Sequence, residues 1–589
     1  MYIREYETRL GDALRPESPF SFSPECQALV KRKNAQKQSR VAVAGGGLAG
    51  LMAARWLGQS GFDVTLFEAR NQVGGRVLSN PTFSNGRITE EGAELIGSFH
   101  TTWLELAREY GLAMISRMSP ELYDEERLAL RLRLGGRDIS MDEFFKLEKA
   151  MRTRVLEPIA RDATQILDPS QPWLQPALRV EDFKTVASVL TSRYGVSPTE
   201  PLWKLLQFKL VNDEVAPLEK MNYLGLLCKV RAGQGIFFRF EDPKDPEDKK
   251  KSLMRYWDEL EIFRCADGCQ TLAKKIAEEI QSKEFQAKYG GKTRLQLSTA
   301  VTNIDLSQAK GPGVELWSKK VKDQRQEKLV DGKPDVTRYE YVILAIPPSV
   351  WPGLVVSPPP WHPKNEIGVM GMDPAIKFFS DVKERFWIKK GAAPYGGSST
   401  LGQIWEGTDN QTRVVLGKLP NPRGGLIEVK QGIVLSVFAG PILPGPRGPR
   451  VPDLKECVRE LKSLYPGDYE LNVNKILFAN WPEEGFIKTG YASPRLGEIF
   501  EKVRCLNRPF HDLLFFAGEH TRIDLFGYME GALRSGERAA KLLMQHMCPR
   551  RETPAPSSPP RVVTARARSG YQGHFAGVSR VAARSNYVL

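Results

Sequence analysis

From residue 40 onward the polar positions give way to Val41-Ala42-Val43-Ala44, an unbroken apolar run of the kind that forms a strand buried on both faces. Gly45-Gly46-Gly47-Leu48-Ala49-Gly50 follows at once. A helix is predicted over Leu51 to Gly58, and a second apolar run, Val64-Thr65-Leu66-Phe67, stops at Glu68. Strand, glycine-rich turn, helix and strand make one right-handed βαβ unit. Further along, the pattern predicts helices within 101–160 and 180–230, a charged surface loop at Glu241–Lys251 and an amphipathic helix at Leu272–Ile280. Short strands are predicted at Leu295–Leu297, Val301–Ile304 and Val314–Trp317, and an exposed hairpin at Lys319–Arg338. Tyr341–Ile346 is again wholly apolar, Leu514–Glu519 reads as a strand meeting a turn, and Gly531–His546 as a closing helix.

Strands of the parallel type at the start, middle and end of the chain predict an α/β fold. Its core is a discontinuous doubly wound (Rossmann-like) domain, interrupted by an inserted domain of mixed sheet plus helices. The first domain takes 40–110, 263–350 and 485–548, and the second takes 111–262 and 351–484. An N-terminal arm covers 1–39 and a tail covers 549–589.

Composition narrows the class. At 589 residues, 41% hydrophobic and 26% charged, the chain has apolar material for a large core and is not a disordered polymer. No apolar stretch is long enough to span a bilayer, and the charged start does not resemble a signal peptide. Seven cysteines are too few for a disulfide scaffold, so a reducing compartment, the cytoplasm, is expected. The net charge of +14 is partly a property of the tail, where seven arginines face one acid, Glu552. That tail reads as a solvated extension, and nucleic acid is not the expected partner. Cys265 and Cys269 have no histidine pair nearby and no nucleophile elbow occurs, so neither a metal nor a serine-hydrolase reading is favoured.

The chemistry begins at Gly45, Gly47 and Gly50. These glycines let backbone N–H groups approach a pyrophosphate at a helix N-terminus, and Glu68 is placed to accept from a ribose diol. Immediately after Glu68 come Ala69-Arg70-Asn71-Gln72-Val73-Gly74-Gly75-Arg76, where Gly75 admits a ligand and Arg76 brings a guanidinium near its phosphates. With this segment the chain resembles the flavin-containing amine oxidase superfamily, whose members include monoamine, polyamine and L-amino-acid oxidases. The resemblance extends over about residues 40–545, through YVILAIPP at 341–348 and FFAGEHT at 515–521 to GYMEGA at 527–532.

The resemblance implies FAD, with Val301 pairing the adenine through its backbone, Gly518 and Glu519 along the pyrophosphate and ribityl chain, and Met529 at the flavin ring. It implies that Lys377, in Ala375-Ile376-Lys377, holds a water near flavin N5, and that Tyr491 and Tyr528 form an aromatic cage for an amine. The position that bears a flavin-linked cysteine in mitochondrial monoamine oxidases is Gly490 here, so FAD is expected to be non-covalent. Glu94 stands where amino-acid oxidases carry a carboxylate-binding arginine, which favours an amine substrate over an amino acid. The expected reaction is hydride transfer from an amine to flavin N5, giving an imine, with molecular oxygen reduced to hydrogen peroxide. An L-amino-acid oxidase is the nearest alternative, then a flavin desaturase or isomerase, then a chromatin-type amine oxidase. A homodimer stays open.

Overall fold

A computed structural model describes residues 40–84, 86–116, 128–235, 246–309, 311–359, 370–409, 432–446 and 448–547, with Leu29, Arg32 and Gln411. The predicted N-terminal arm, almost all of it, and the basic tail lie outside these residues. At the centre is a five-stranded sheet in the order Leu514–Phe516, Tyr341–Leu344, Arg40–Ala44, Asp63–Phe67, Thr293–Gln296. Every pairing in it is parallel. Val41, Val43, Val64 and Leu66 turn to a helical layer that includes Leu48–Gln59, Gln270–Gln281 and Met529–Met547. Ala42, Ala44, Phe67, Val342 and Leu344 turn to the opposite face, against a mixed sheet built on the antiparallel pair Thr299–Asp305 and Val314–Asp323. Burial on both faces is why these strands read as continuous apolar runs.

The helix after the first strand starts at Leu48, three residues before the predicted Leu51, because Gly47 is its N-cap. Gly536 of the last helix meets it so closely that an added Cβ would stand 2.1 Å from Ala49 O. The chain leaves the central strand Arg40–Ala44 in opposite directions, toward Asp63–Phe67 on one side and Tyr341–Leu344 on the other. That divergence opens a crevice at the carboxyl ends of these strands.

The second large sheet has seven strands, in the order Val473–Asn480, Ile376–Val382, Ile433–Ala439, Gly402–Glu406, Ala392–Ser398, Ala129–Leu134, Arg137–Asp138. Ala129–Asp138 corrects the helical expectation for 101–160. ALRLRL alternates with period two, and its strand pairs in parallel with Ala392–Ser398. The predicted Glu241–Lys251 loop is also revised. Its described part, from Pro246, begins the Pro246–Glu259 helix, whose buried Met254, Tyr256 and Trp257 lie beyond the charged run. Pro201–Glu214 and Tyr223–Gln234 pack with that helix in one apolar cluster. Among the described residues, no helix is long and apolar enough to cross a membrane.

Candidate active site

One continuous cavity runs from the crevice of the central sheet to the wall formed by the seven-stranded sheet and the helices. Its wall includes Gly45, Gly47, Glu68, Arg70, Gly75, Arg76, Val301, Gly518, Glu519 and Met529, together with Lys377, Glu94, Tyr491 and Tyr528. Of the residues that sequence reasoning selected, only Gly50 stands off the wall. Its absent side chain serves packing, since a Cβ there would lie 1.9 Å from Gly45 O.

The nucleotide end fits a dinucleotide. A Cβ at Gly47 would meet nothing nearer than Gly74 O at 3.9 Å, so the space over its backbone belongs to the cavity rather than to the protein. The Glu68 carboxylate accepts from Gly46 N at 2.6 Å and Arg70 N at 2.8 Å. Those bonds fix its direction while leaving lone pairs for a diol. Val301 lies beside a bulge in its strand, where the pairing with Val314–Asp323 shifts register. The Arg76 guanidinium donates through a single nitrogen, Nη1, to Glu519 Oε1 at 2.7 Å and Gly490 O at 2.9 Å. The Glu519 side chain likewise serves the protein, accepting also from Gly527 N at 2.7 Å and Ala492 N at 3.2 Å. It therefore ties together the backbones that carry Tyr491 and Tyr528.

At the other end Lys377 lies on Ile376–Val382, a strand buried along its whole length. Its ammonium donates to Glu90 O at 2.8 Å, Gly92 O at 3.1 Å and Glu94 Oε2 at 2.7 Å. An ammonium has three N–H groups, and here all three have protein acceptors. That corrects the expected water-holding geometry, because the lysine is set as a fixed positive charge with no donor to spare.

Glu94 is corrected too. Its carboxylate also lies 2.9 Å from Arg264 Nε and accepts from Trp405 Nε1 at 3.1 Å. Burial pushes its pKa up, but Lys377 and Arg264 outweigh that and hold it below the ordinary range. A carboxylate between two buried cations does not repel a substrate carboxylate, so Glu94 loses the selecting role and becomes the anchor of Lys377.

Beside this anchor Glu90 accepts from Cys269 N at 2.6 Å and Ser79 Oγ at 2.7 Å, and burial raises its pKa to about 7 from 4.5. The folded chain thus holds a proton on Glu90 that the unfolded chain gives up. Its contribution is complete below about pH 4.5 and is lost as pH rises through about 7. Glu90→Gln, which keeps the neutral form at every pH, is expected to raise stability by up to ~3 kcal/mol at alkaline pH and to change little in acid. Thermal unfolding midpoints across that range check this, and a stabilisation equal at both ends would contradict it.

The two tyrosines are neutral phenols. Burial and then the nearby Glu214 push both pKa values well above normal. Tyr491 Oη donates to Asp213 O at 3.0 Å, and Tyr528 Oη lies 3.0 Å from Tyr256 Oη. The wall near them adds Leu95, Asn212, Asp213, Glu261, Gln403 and Trp405, all missed by sequence reasoning. Asp213 is 3.2 Å from Lys209 and accepts from Gln403 at 3.3 Å. Among the described lining residues, each cation faces an acid: Arg70 with Glu484 at 3.7 Å, Arg76 with Glu519, Lys377 with Glu94. At Gly490 an added Cβ would stand 2.7 Å from Ala375 Cβ and 2.8 Å from Asp373 O, so the backbone leaves no room for a side chain.

Known proteins share this chain's sequence pattern and its fold. A family model described as flavin containing amine oxidoreductase matches residues 48–544. An amine oxidase [flavin-containing] of Danio rerio is 26% identical over 518 residues, covering 86% of this chain and 85% of the relative. Human amine oxidase [flavin-containing] B is 24% identical over 524 residues, covering 86% of each. Among solved structures, putrescine oxidase bound to putrescine superposes with a TM-score of 0.60 at 18% identity, covering 86% of this chain and 98% of that one. Cyclohexylamine oxidase from Brevibacterium oxydans superposes with a TM-score of 0.62 at 18% identity, covering 87% and 99%.

Proposed function

The chain belongs to the flavin-containing amine oxidoreductase family, and from that premise we propose that it is an FAD-dependent oxidase of an amine lacking an α-carboxylate. The observation that carries the substrate class is the pairing of every described cation on the cavity wall with an acid. A substrate carboxylate buried here would find no uncommitted positive partner, at a cost of several kcal/mol. An amine between Tyr491 and Tyr528 meets two electron-rich rings instead.

Bound FAD would supply the hydride acceptor, held by the Gly45–Leu48 turn, Glu68, Val301 and Met529. Tyr491 and Tyr528 orient the amine. Trp405 and Leu95 add apolar surface to the cavity wall, and Lys377, 5.3 Å from the Trp405 ring centroid, holds a fixed positive charge there. Oxygen, reduced to hydrogen peroxide, is the proposed electron acceptor.

The test is peroxide release with matched pairs, tryptamine against tryptophan and cadaverine against lysine, on protein whose flavin has been identified after acid precipitation. Higher kcat/KM for the amine of each pair is expected, with FAD in the supernatant because Gly490 offers no attachment. Preference for the amino acids would overturn the substrate class. Flavin that stays in the pellet would overturn the non-covalent site.

A further inference from the structure

Three helices converge behind Tyr528. Glu214 ends Pro201–Glu214, Lys229 lies on Tyr223–Gln234, and Tyr256 lies on Pro246–Glu259. Their relative exposures are 2%, 0% and 0%, so these groups are shut off from bulk solvent. Lys229 Nζ donates to Glu214 Oε2 at 2.5 Å, and Tyr256 Oη donates to Glu214 Oε1 at 2.9 Å. Tyr528 Oη, on the cavity wall, is 3.0 Å from Tyr256 Oη.

The direction of this row follows from its hydrogens. An ionised carboxylate only accepts, so Tyr256 gives its single proton to Glu214 and must accept from Tyr528. Tyr528 then has its own proton turned inward and only lone pairs left for a new partner. Its hydroxyl is an acceptor for a donor arriving in the cavity, and the row behind it ends on a base.

We propose that Glu214 takes the proton that a substrate ammonium sheds before its C–H bond is broken, reached through Tyr256 and Tyr528. This rests on reading the cavity as an amine site. The N–H bond of R–CH2–NH3+ breaks and its proton goes to Tyr528 Oη. The Tyr528 proton passes to Tyr256, and the Tyr256 proton to the Glu214 carboxylate. A neutral amine and a carboxylic acid result, with no change of oxidation state, and the lone pair freed on nitrogen is the one that expels hydride. The proton leaves along the same row after product departs. Glu214 and Tyr256 act through Tyr528 and are positioning residues.

The surroundings support this. Burial raises the Glu214 pKa, Lys229 and Tyr256 partly offset that, and Asp213 adds to it, so the carboxylate is a better proton acceptor than an exposed one. The other groups that face the row are Lys209, paired with Asp213 on the same helix, His100 beside Lys229 and Tyr528, and Tyr491 and Glu261 at the cavity. Lys229 Nζ also lies 4.5 Å from the Tyr528 ring centroid and 3.9 Å from that of Phe526. A fixed cation on the ring weakens its pull on a second cation, which favours the amine after it has lost its charge. Val215, directly after Glu214, is held at φ 48°, a left-handed conformation that a β-branched residue adopts only where its surroundings fix it.

Tyr256→Phe removes one hydroxyl and keeps the ring. Flavin reduction by a primary amine in this variant is expected to fall about a hundredfold at neutral pH. The deficit should shrink to a few-fold near pH 10, where much of the amine arrives uncharged. A fluorinated amine that is already neutral at pH 7 should escape the defect. A second measurement does not depend on turnover. Infrared difference spectra on binding tert-butylamine, which has no α-hydrogen, should show a protonated carboxyl band in the wild type. That band should be absent from Tyr256→Phe and from the charge-balanced double variant Glu214→Gln/Lys229→Met. An equal loss of rate at both pH values, or no such band in the wild type, overturns the proposal. A wild-type flavin that no amine reduces would overturn the proposed function instead, and the binding spectra would still decide the proton's destination.

Discussion

Gly47→Val is expected to yield a folded protein that purifies without flavin. The φ of −73° and ψ of 176° at Gly47 are extended values that a β-branched residue adopts readily, so the backbone is not strained. The new Cβ would meet no protein atom nearer than 3.9 Å. What it fills is the space over the N-terminus of Leu48–Gln59, where backbone N–H groups face the cavity. Displacing a pyrophosphate from those groups by an ångström or more removes several charge-assisted hydrogen bonds. A loss of ~4 kcal/mol, or about a thousandfold in Kd, is the expected scale. The flavin-to-protein absorbance ratio and reconstitution with added FAD measure the loss, and thermal unfolding of the apoproteins supplies the control. A variant that retains its flavin would remove the pyrophosphate from this turn. Gly50→Val is the contrasting case, because its Cβ collides with Gly45 O and the fold itself should fail.

That contrast separates what the sequence could state from what it could not. The central sheet was legible because strands buried on both faces leave an unbroken apolar run, as in Val41–Ala44 and Tyr341–Leu344. The nucleotide turn was legible because glycine, acid and helix follow one another within a single βαβ unit. Ala129–Leu134 did not stand out as a strand because its alternation is short, and its partner Ala392–Ser398 lies far along the chain. Long range also hid the chemistry behind the cavity. Glu94, Arg264, Lys377 and Trp405 meet from four separate segments, and Glu214, Lys229 and Tyr256 from three helices. Glu94 and Lys377 were legible one at a time, but no spacing relates them to each other or to Arg264 and Trp405, nor Glu214 to Lys229 and Tyr256. Only packing does.

Lys377→Met is expected to cost two to four orders of magnitude in one half-reaction of the flavin, or roughly 3–5 kcal/mol of barrier. Methionine keeps the length and apolar stem of lysine, so the strand Ile376–Val382 retains its packing. Glu94 is not orphaned by the change, since Arg264 and Trp405 still hold its carboxylate, and two backbone carbonyls are the groups left without a donor. Stability should therefore fall by about 1–3 kcal/mol, well short of unfolding. Stopped-flow reduction by an amine and reoxidation by oxygen assign the loss to one step. Because all three N–H groups of Lys377 are bonded to protein, its contribution at the reacting end is its charge, and the position of that charge depends on Glu94. Glu94→Gln should then weaken the same half-reaction by about tenfold, because the amide holds the ammonium less firmly than the carboxylate does. The two substitutions share one interaction, so the double variant should be no slower than Lys377→Met alone. Losses that multiply would mean that Glu94 acts on the reaction by a route other than Lys377.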